Sequence, residues 1–157
     1  MTNANSRSNA IYFEDVLPGE RLVSSWYALT EDDIVSFASK WDPLPIHVDA
    51  KAAQRSQFGS LTASGAHLLA IKQKLLHDFG FRDSVICSFG LDEIRYKAPG
   101  KPGNKFRIVL TWLDQRPSSS IPNAGIARHK AELVNQDEVI VMTVLDTILM
   151  KKRIPIA

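Results

Sequence analysis

The sequence predicts an α+β fold, in which a single antiparallel sheet wraps around a central apolar helix. Three observations support this prediction. Residues 66–76 have helical spacing with apolar side chains on most sides, which is typical of a buried helix. From residue 84 onward apolar and polar residues alternate, as they do in strands. The helical segments come before these strands instead of alternating with them, which favours α+β over α/β architecture.

Length and composition indicate one soluble globular domain. The chain has 157 residues, of which 45% are hydrophobic and 23% are charged, and this is enough to form one core. We expect the domain to span residues 11–153, with a disordered polar tail over residues 1–10 and a short tail over residues 154–157.

The charge and the cysteine count exclude several classes of function. Nineteen basic residues nearly balance seventeen acidic ones, and the net charge is +2, so no nucleic-acid-binding surface is expected. No apolar run reaches the roughly 18 residues of a membrane span. The single cysteine, Cys87, permits no intrachain disulfide and predicts a cytoplasmic protein. It lies in an apolar strand pattern, where we expect it to be buried.

The first half of the chain reads as a strand followed by short helices. Loose alternation predicts a strand over residues 21–29. Thr30 and Asp33 form a capping-box pattern that opens a helix, and this helix ends at Asp42, since Pro43 follows it. The two prolines within residues 41–49 predict a stiff, extended segment there.

The second half supplies the central helix and the strands. Asp49 is placed to cap a short helix, and Ser64 to cap the central helix, which Gly80 ends. Ser64 could instead bind a substrate, although capping is the favoured interpretation. Alternation predicts four antiparallel strands in residues 84–96, 106–113, 126–135 and 139–149. The open sheet edges favour association with another chain.

The Asp42–His47 pair is the strongest candidate site in the sequence. The segment W-D-P-L-P-I-H-V-D presents a carboxylate and an imidazole five positions apart. A carboxylate that orients an imidazole is a common acid–base pair. The alternative is that Asp42 only ends a helix and that His47 is a solvated loop residue.

The remaining histidines are expected to be structural. His67 could reach the pocket, but the favoured interpretation is a core histidine that bonds a backbone carbonyl. His77 is expected to lie at the end of the central helix. His129 stands between Arg128 and Lys130, which suggests an exposed strand face. No set of His, Cys, Asp and Glu has metal-ligand spacing, so no metal is predicted.

Several motifs together resemble the MaoC-like dehydratase family, the hot-dog-fold relatives of (R)-specific enoyl-CoA hydratases. They are F-E-D-V-L-P-G-E at residues 13–20, T-E-D-D-I-V-S-F-A at residues 30–38, D-P-L-P-I-H-V-D at residues 42–49, F-G-S-L-T-A-S-G at residues 58–65 and G-L-D-E-I-R-Y-K-A-P-G-K-P-G at residues 90–103. The resemblance covers about residues 13–149 and implies a hot-dog fold.

The resemblance also implies a function and a site. Asp42 and His47 would activate water for addition to an enoyl thioester, or for the reverse dehydration of a 3-hydroxyacyl thioester. The backbone N–H of Gly65 would polarise the thioester carbonyl, with Ser64 beside it. The chain departs from the family pattern at Leu44, where many members have Asn, and at Ser64, where many have His.

Three functions therefore remain open at this stage: a hydratase or dehydratase, a non-catalytic protein that binds acyl thioesters, and, with less support, an acyl-CoA thioesterase. The expected partners are an acyl-CoA or acyl-carrier thioester and a second copy of the chain, as a homodimer or an assembly of dimers. No cofactor is expected. Arg95, Lys97 and Lys101 are candidates to bind the phosphates of CoA.

Overall fold

The computed structural model describes residues 10–153. The predicted tails at residues 1–9 and 154–157 lie outside the described residues. The helices are α1 (Glu31–Trp41), α2 (Pro45–Val48), α3 (Ala50–Gln54) and α4 (Gly65–Leu76), and the strands are β1 (Arg21–Val23), β2 (Tyr27–Ala28), β3 (Val85–Tyr96), β4 (Lys105–Pro117), β5 (Ala124–Asn135) and β6 (Ile140–Lys151).

The strands form one antiparallel sheet in the order β1-β4-β5-β6-β3, and β2 also pairs with β4. The sheet packs against α4, whose Leu68, Ile71 and Leu75 join Ile108 and Leu110 of β4 in the core. The predicted fold class, a sheet wrapped around a central helix, is confirmed. One side of α4 stays open, because the sheet covers only part of the helix: Ala66 and Ala70 are exposed.

Local signals predicted the helix boundaries well. Thr30 accepts a hydrogen bond from the amide of Asp33, whose carboxylate accepts one from the amide of Thr30. Asp49 caps α3 through the amides of Lys51 and Ala52. Gly80 was predicted to end the central helix, but α4 ends at Leu76, and Gly80 ends the 3-10 turn His77–Phe79 that follows it. Its left-handed φ of +77° is a conformation that glycine adopts without steric cost.

The predicted extended segment at residues 41–49 is wrong in part, because Pro45–Val48 forms a short helix. Pro45 is the first helical residue, where its missing N–H needs no partner and its fixed φ suits the helix. The strand predicted for residues 21–29 is divided into β1 and β2.

Two burial predictions are also wrong. Cys87 is exposed, because β3 is the last strand at its edge of the sheet. His129 is 1% exposed instead of lying on an open face. Successive side chains of a strand point to opposite faces, so the charged neighbours of His129 did not indicate its own environment.

The core contains an ion pair that the sequence analysis did not predict. The ammonium of Lys72 on α4 lies 3.0 Å from the carboxylate of Asp146 on β6, and the hydroxyl of Ser88 donates to the same carboxylate at 2.7 Å. His129 Nε2 lies 3.9 Å from Asp146. Burial lowers the pKa of His129 to about 4, while Asp146 raises it and Lys72 lowers it.

His67 is buried as predicted, but its ring nitrogen does not bond a backbone carbonyl. Its ring stacks on Phe37 with 4.4 Å between centroids, and Nδ1 has no hydrogen-bond partner among the described residues. Burial lowers the pKa of His67, against the smaller effect of Asp33, which raises it. His77 lies at the end of α4, as predicted.

Candidate functional site

The end of α1 positions Asp42. Its amide donates to the carbonyl of Ala38 at 2.8 Å and closes the last turn of the helix. Pro43 cannot continue the helix, because it lacks an N–H. The chain therefore turns at this point, and the side chain of Asp42 stays 37% exposed.

The short helix α2 positions His47 beside Asp42. His47 is 6% exposed, and its Nδ1 lies 2.5 Å from the carbonyl oxygen of Thr62. A carbonyl can only accept, so Nδ1 carries the proton and donates. In neutral His47 the free lone pair is then on Nε2, which lies 3.8 Å from Asp42 Oδ2.

This separation suits a shared water molecule. A water molecule that donates one hydrogen bond of about 2.8 Å to each of two acceptors can lie between atoms that are 3.8 Å apart. Its two hydrogens would point at the carboxylate and at Nε2. Both groups can accept a proton, so this geometry is compatible with the orientation and deprotonation of a water molecule.

Backbone hydrogen bonds hold the segment before α4, at Thr62 and Ala63, in place. The amide of Thr62 donates to the carbonyl of Ile46 at 3.1 Å, and the amide of Ala63 donates to that of Gly100 at 2.8 Å. Together with the imidazole of His47, these bonds fix Thr62 on both sides. The start of α4 follows immediately, so the position of His47 relative to that helix is well defined.

The start of α4 places Ser64 and Gly65 in different roles. Ser64 is 1% exposed, and its hydroxyl accepts a hydrogen bond from the amide of His67 at 3.1 Å. The capping role of Ser64 is confirmed. Gly65 is the first helical residue, so its amide has no carbonyl partner inside the helix and lies at the positive end of the helix dipole.

A cavity of about 430 Å³ joins His47 and Gly65. It is lined by Ile46, His47, Phe58, Thr62, Ala63, Gly65, Leu68, Tyr96, Lys97, Ala98 and Pro99. Neither Asp42 nor Ser64 lines it, although Asp42 Oδ2 lies 3.8 Å from Nε2 of the lining residue His47. The structure therefore places His47 and Gly65 in one cavity and Asp42 beside His47; the catalytic roles expected for these residues stay predictions.

Tyr96 and Lys97 line the cavity, which the sequence did not predict. Both lie where β3 ends and the chain turns toward Gly100. The resemblance over residues 90–103 pointed to this strand end, but no local pattern shows that a strand so distant in sequence reaches the start of α4. Of the three cations considered for CoA, only Lys97 lines this cavity. Lys101 donates to the carbonyl of Phe58 at 2.9 Å.

The sheet around α4 and the acid–imidazole pair beside its start define a hot-dog-fold protein with a candidate acid–base site. The sequence profile of the family described as "MaoC like domain" matches residues 14–131. The chain belongs to this MaoC-like dehydratase domain family.

Individual relatives agree with this assignment. Protein MaoC of Klebsiella aerogenes is 38% identical over 101 residues, which are 64% of this chain and 30% of that protein. 3-Hydroxyacyl-thioester dehydratase Z of Mycobacterium tuberculosis (strain H37Rv) is 31% identical over 89 residues, 55% of this chain and 59% of that protein. The chain thus spans less than two thirds of either relative. The MaoC-like dehydratase structure from Rhodospirillum rubrum superposes with a TM-score of 0.85 at 31% identity, over 92% of this chain and 99% of that chain.

Two further kinds of feature are absent from residues 10–153. No group of three or more His, Cys, Asp or Glu side chains is arranged to hold a metal ion. No helix in the same range is both long and apolar enough to cross a bilayer.

Proposed function

We propose that this protein hydrates enoyl thioesters or dehydrates 3-hydroxyacyl thioesters. One observation supports this most strongly: the free lone pair of His47 Nε2 lies beside Asp42, and His47 shares a cavity with the N-terminus of α4. The relative named 3-hydroxyacyl-thioester dehydratase supports the same class of reaction.

In the proposed hydration, Asp42 and His47 hold one water molecule above the β-carbon. The water oxygen bonds to the β-carbon while His47 Nε2 takes one of its protons. The electrons of the double bond move toward the thioester, and its carbonyl oxygen gains negative charge. His47 then returns the proton to the α-carbon, so the net change is addition of water.

The Gly65 amide is proposed to stabilise the charge on the carbonyl oxygen. Backbone donors fixed at a helix start need no reorganisation during the reaction, and the helix dipole favours an anion there. Glycine at this position lets the side chain of Tyr96 lie directly against the backbone. Ser64 supports this arrangement by capping the helix. It does so without occupying the cavity.

The substrate is proposed to carry CoA or an acyl-carrier arm outside the cavity. Lys97 is exposed at the rim and is the candidate to contact its phosphates. The apolar walls formed by Ile46, Phe58 and Leu68 suit an acyl chain.

An assay with a panel of enoyl-CoA substrates, from crotonyl- to decenoyl-CoA, tests the proposal. We expect loss of the enoyl absorbance, and a decrease in kcat of about a hundredfold or more in Asp42→Asn and His47→Gln. Asp32→Asn, at the opposite end of α1, and His77→Gln, at the exposed end of α4, are the matched controls and should keep full activity.

Other outcomes of this assay would redirect the assignment. Release of free thiol would show a thioesterase instead. Tight binding of acyl-CoA without either signal would show a non-catalytic binding protein. Equal activity in Asp42→Asn and in the wild type would remove the acid–base pair from the mechanism.

A second copy of the chain is the proposed partner, bound along β3. This strand lies at the edge of the sheet and exposes Ile86, Phe89 and Leu91 at 46%, 57% and 39%. An edge strand with free hydrogen-bonding groups and exposed apolar side chains is suited to pairing with another strand. The homodimer and the cytoplasmic location both stay predictions.

A further inference from the structure

Tyr96 lies against the first residue of the central helix. A Cβ atom placed on Gly65 would be 2.6 Å from Tyr96 Cζ and 2.7 Å from its hydroxyl oxygen. The hydroxyl and the ring carbons next to it therefore lie against the helix start. Glycine at position 65 is what makes this approach possible.

The distance allows one ligand atom to contact both groups. A Cβ lies about 2.5 Å from the nitrogen of its own residue by covalent geometry, so the Tyr96 oxygen is within about 5 Å of the Gly65 nitrogen. Two donors that bind the two lone pairs of one carbonyl oxygen, at about 2.9 Å each and about 120° apart, lie about 5 Å from each other. A carbonyl oxygen can thus accept from the Gly65 N–H and the Tyr96 O–H together.

The strand is bent just before Tyr96. The pairing of β3 with β6 shifts in register between Asp92 and Arg95, and Glu93 has a positive φ of +50°. Such bulges increase the local twist of a strand and redirect its side chains, and they are frequent beside active sites. The bulge lies immediately before the residue that reaches the cavity.

The other hydroxyl groups nearby are placed differently. Ser64 is buried outside the cavity and caps α4. The hydroxyl of Thr62 faces His47 Nδ1 at 3.4 Å. The hydroxyl of Tyr96 is the one that lies against Gly65. Burial raises the pKa of this phenol, so the phenol is protonated at neutral pH and can donate a hydrogen bond.

We propose that Tyr96 is a catalytic residue whose hydroxyl donates a second hydrogen bond to the thioester carbonyl, beside the Gly65 N–H. The inference rests on the proposed function. Negative charge on the carbonyl oxygen grows as water adds to the β-carbon, so a donor fixed at that atom stabilises the transition state more than the substrate.

The test compares wild type with Tyr96→Phe, which keeps the ring and removes the hydroxyl. With the best enoyl-CoA substrate we expect kcat to fall by about a hundredfold, with a smaller change in KM. Tyr12→Phe removes a phenol far from the cavity and serves as the control, and it should match the wild type.

A spectroscopic measurement separates this role from a structural one. Butyryl-CoA labelled with ¹³C at its carbonyl cannot be hydrated, and hydrogen bonds lower the infrared stretching frequency of its carbonyl. We expect the band of the bound ligand to move to higher frequency in Tyr96→Phe and to stay unchanged in Tyr12→Phe.

The results overturn the inference if Tyr96→Phe keeps the wild-type kcat and the wild-type carbonyl frequency. A decrease in kcat with no change in frequency also overturns it, because the hydroxyl then acts without touching the carbonyl. A wild type that hydrates no enoyl thioester contradicts the proposed function instead, while the frequency shift still reports whether Tyr96 contacts a bound thioester.

Discussion

Lys72 and Asp146 form an ion pair in the interior, with 3.0 Å between ammonium and carboxylate and side chains that are 1% and 3% exposed. The pair connects α4 to β6, and the hydroxyl of Ser88 on β3 completes it. A buried charge without its partner is costly, whereas a buried pair with its hydrogen bonds is tolerated.

The substitution Lys72→Met should therefore destabilise the protein by about 3–5 kcal/mol, because it leaves the carboxylate of Asp146 uncompensated. Urea unfolding monitored by circular dichroism measures this. The double variant Lys72→Met/Asp146→Leu should recover much of the loss. Arg128→Met breaks an ion pair with Asp114 that is about half exposed and should leave the unfolding midpoint nearly unchanged. A single variant that is as stable as the control would show that the buried pair does not stabilise the fold.

Acid should destabilise the protein through His129. Its pKa is about 4 in the folded state and about 6.5 in the unfolded chain, so only the unfolded chain binds the proton between these values. The contribution of neutral His129 to the free energy of unfolding is fully present above pH 6.5. It decreases as the pH falls toward 4, by up to about 3 kcal/mol in total.

Denaturation curves from pH 4 to pH 7 check this prediction. The free energy of unfolding of His129→Gln should change less with pH than that of the wild type, whatever the absolute stability of the variant. His77→Gln should keep the wild-type slope, because His77 is exposed. Burial also lowers the pKa of His67, so some slope should remain in His129→Gln. Parallel curves for His129→Gln and the wild type would contradict the assignment.

Replacement of Ser64 by alanine should cost about 1 kcal/mol, because the amide of His67 loses its cap. Thr30→Ala removes the cap of α1 and should have a similar cost. If Ser64 only caps the helix, kcat/KM of Ser64→Ala should change by less than about threefold. A hundredfold loss of kcat/KM at full stability would instead support a contact between Ser64 and substrate.

The substitution Gly65→Ala should reduce kcat strongly, because the new methyl group would overlap the phenol of Tyr96. The phenol lies on a half-exposed side chain and can move aside, so the thermal midpoint should change little. Gly65→Ala/Tyr96→Phe should be no slower than Gly65→Ala, since both changes act on the same contact. Full activity in Gly65→Ala would show that the space beside this backbone is not needed.

Phe89→Glu should convert the proposed dimer to a monomer, because it places a charge on the exposed β3 edge. Light scattering after size exclusion gives the mass directly. Leu17→Glu is the matched control, since Leu17 is 58% exposed but lies outside β3. A monomeric wild type would contradict the proposed dimer.

The sequence by itself determined the features that depend on neighbouring residues. Thr30, Asp49 and Ser64 were predicted as helix caps because each acts on amides two or three positions away. The end of α1 at Asp42 follows from Pro43, and the central helix and the strands follow from their periodicity. The resemblance to MaoC-like proteins then predicted a site formed by Asp42, His47 and Gly65, and the structure places His47 and Gly65 in one cavity with Asp42 beside His47.

Only the tertiary structure decided the contacts between residues that are distant in the chain. The neighbours of His129 in sequence are cations, yet β5 turns its imidazole into the core toward Trp112 and Asp146. The proton position on His47 is set by the carbonyl of Thr62, fifteen residues away, and the space beside Gly65 is filled by Tyr96 from the far end of β3. The burial of a side chain, its ion-pair partners and the tautomer of a histidine depend on which surfaces the fold brings together. Local helix and strand propensities carry no information about those surfaces.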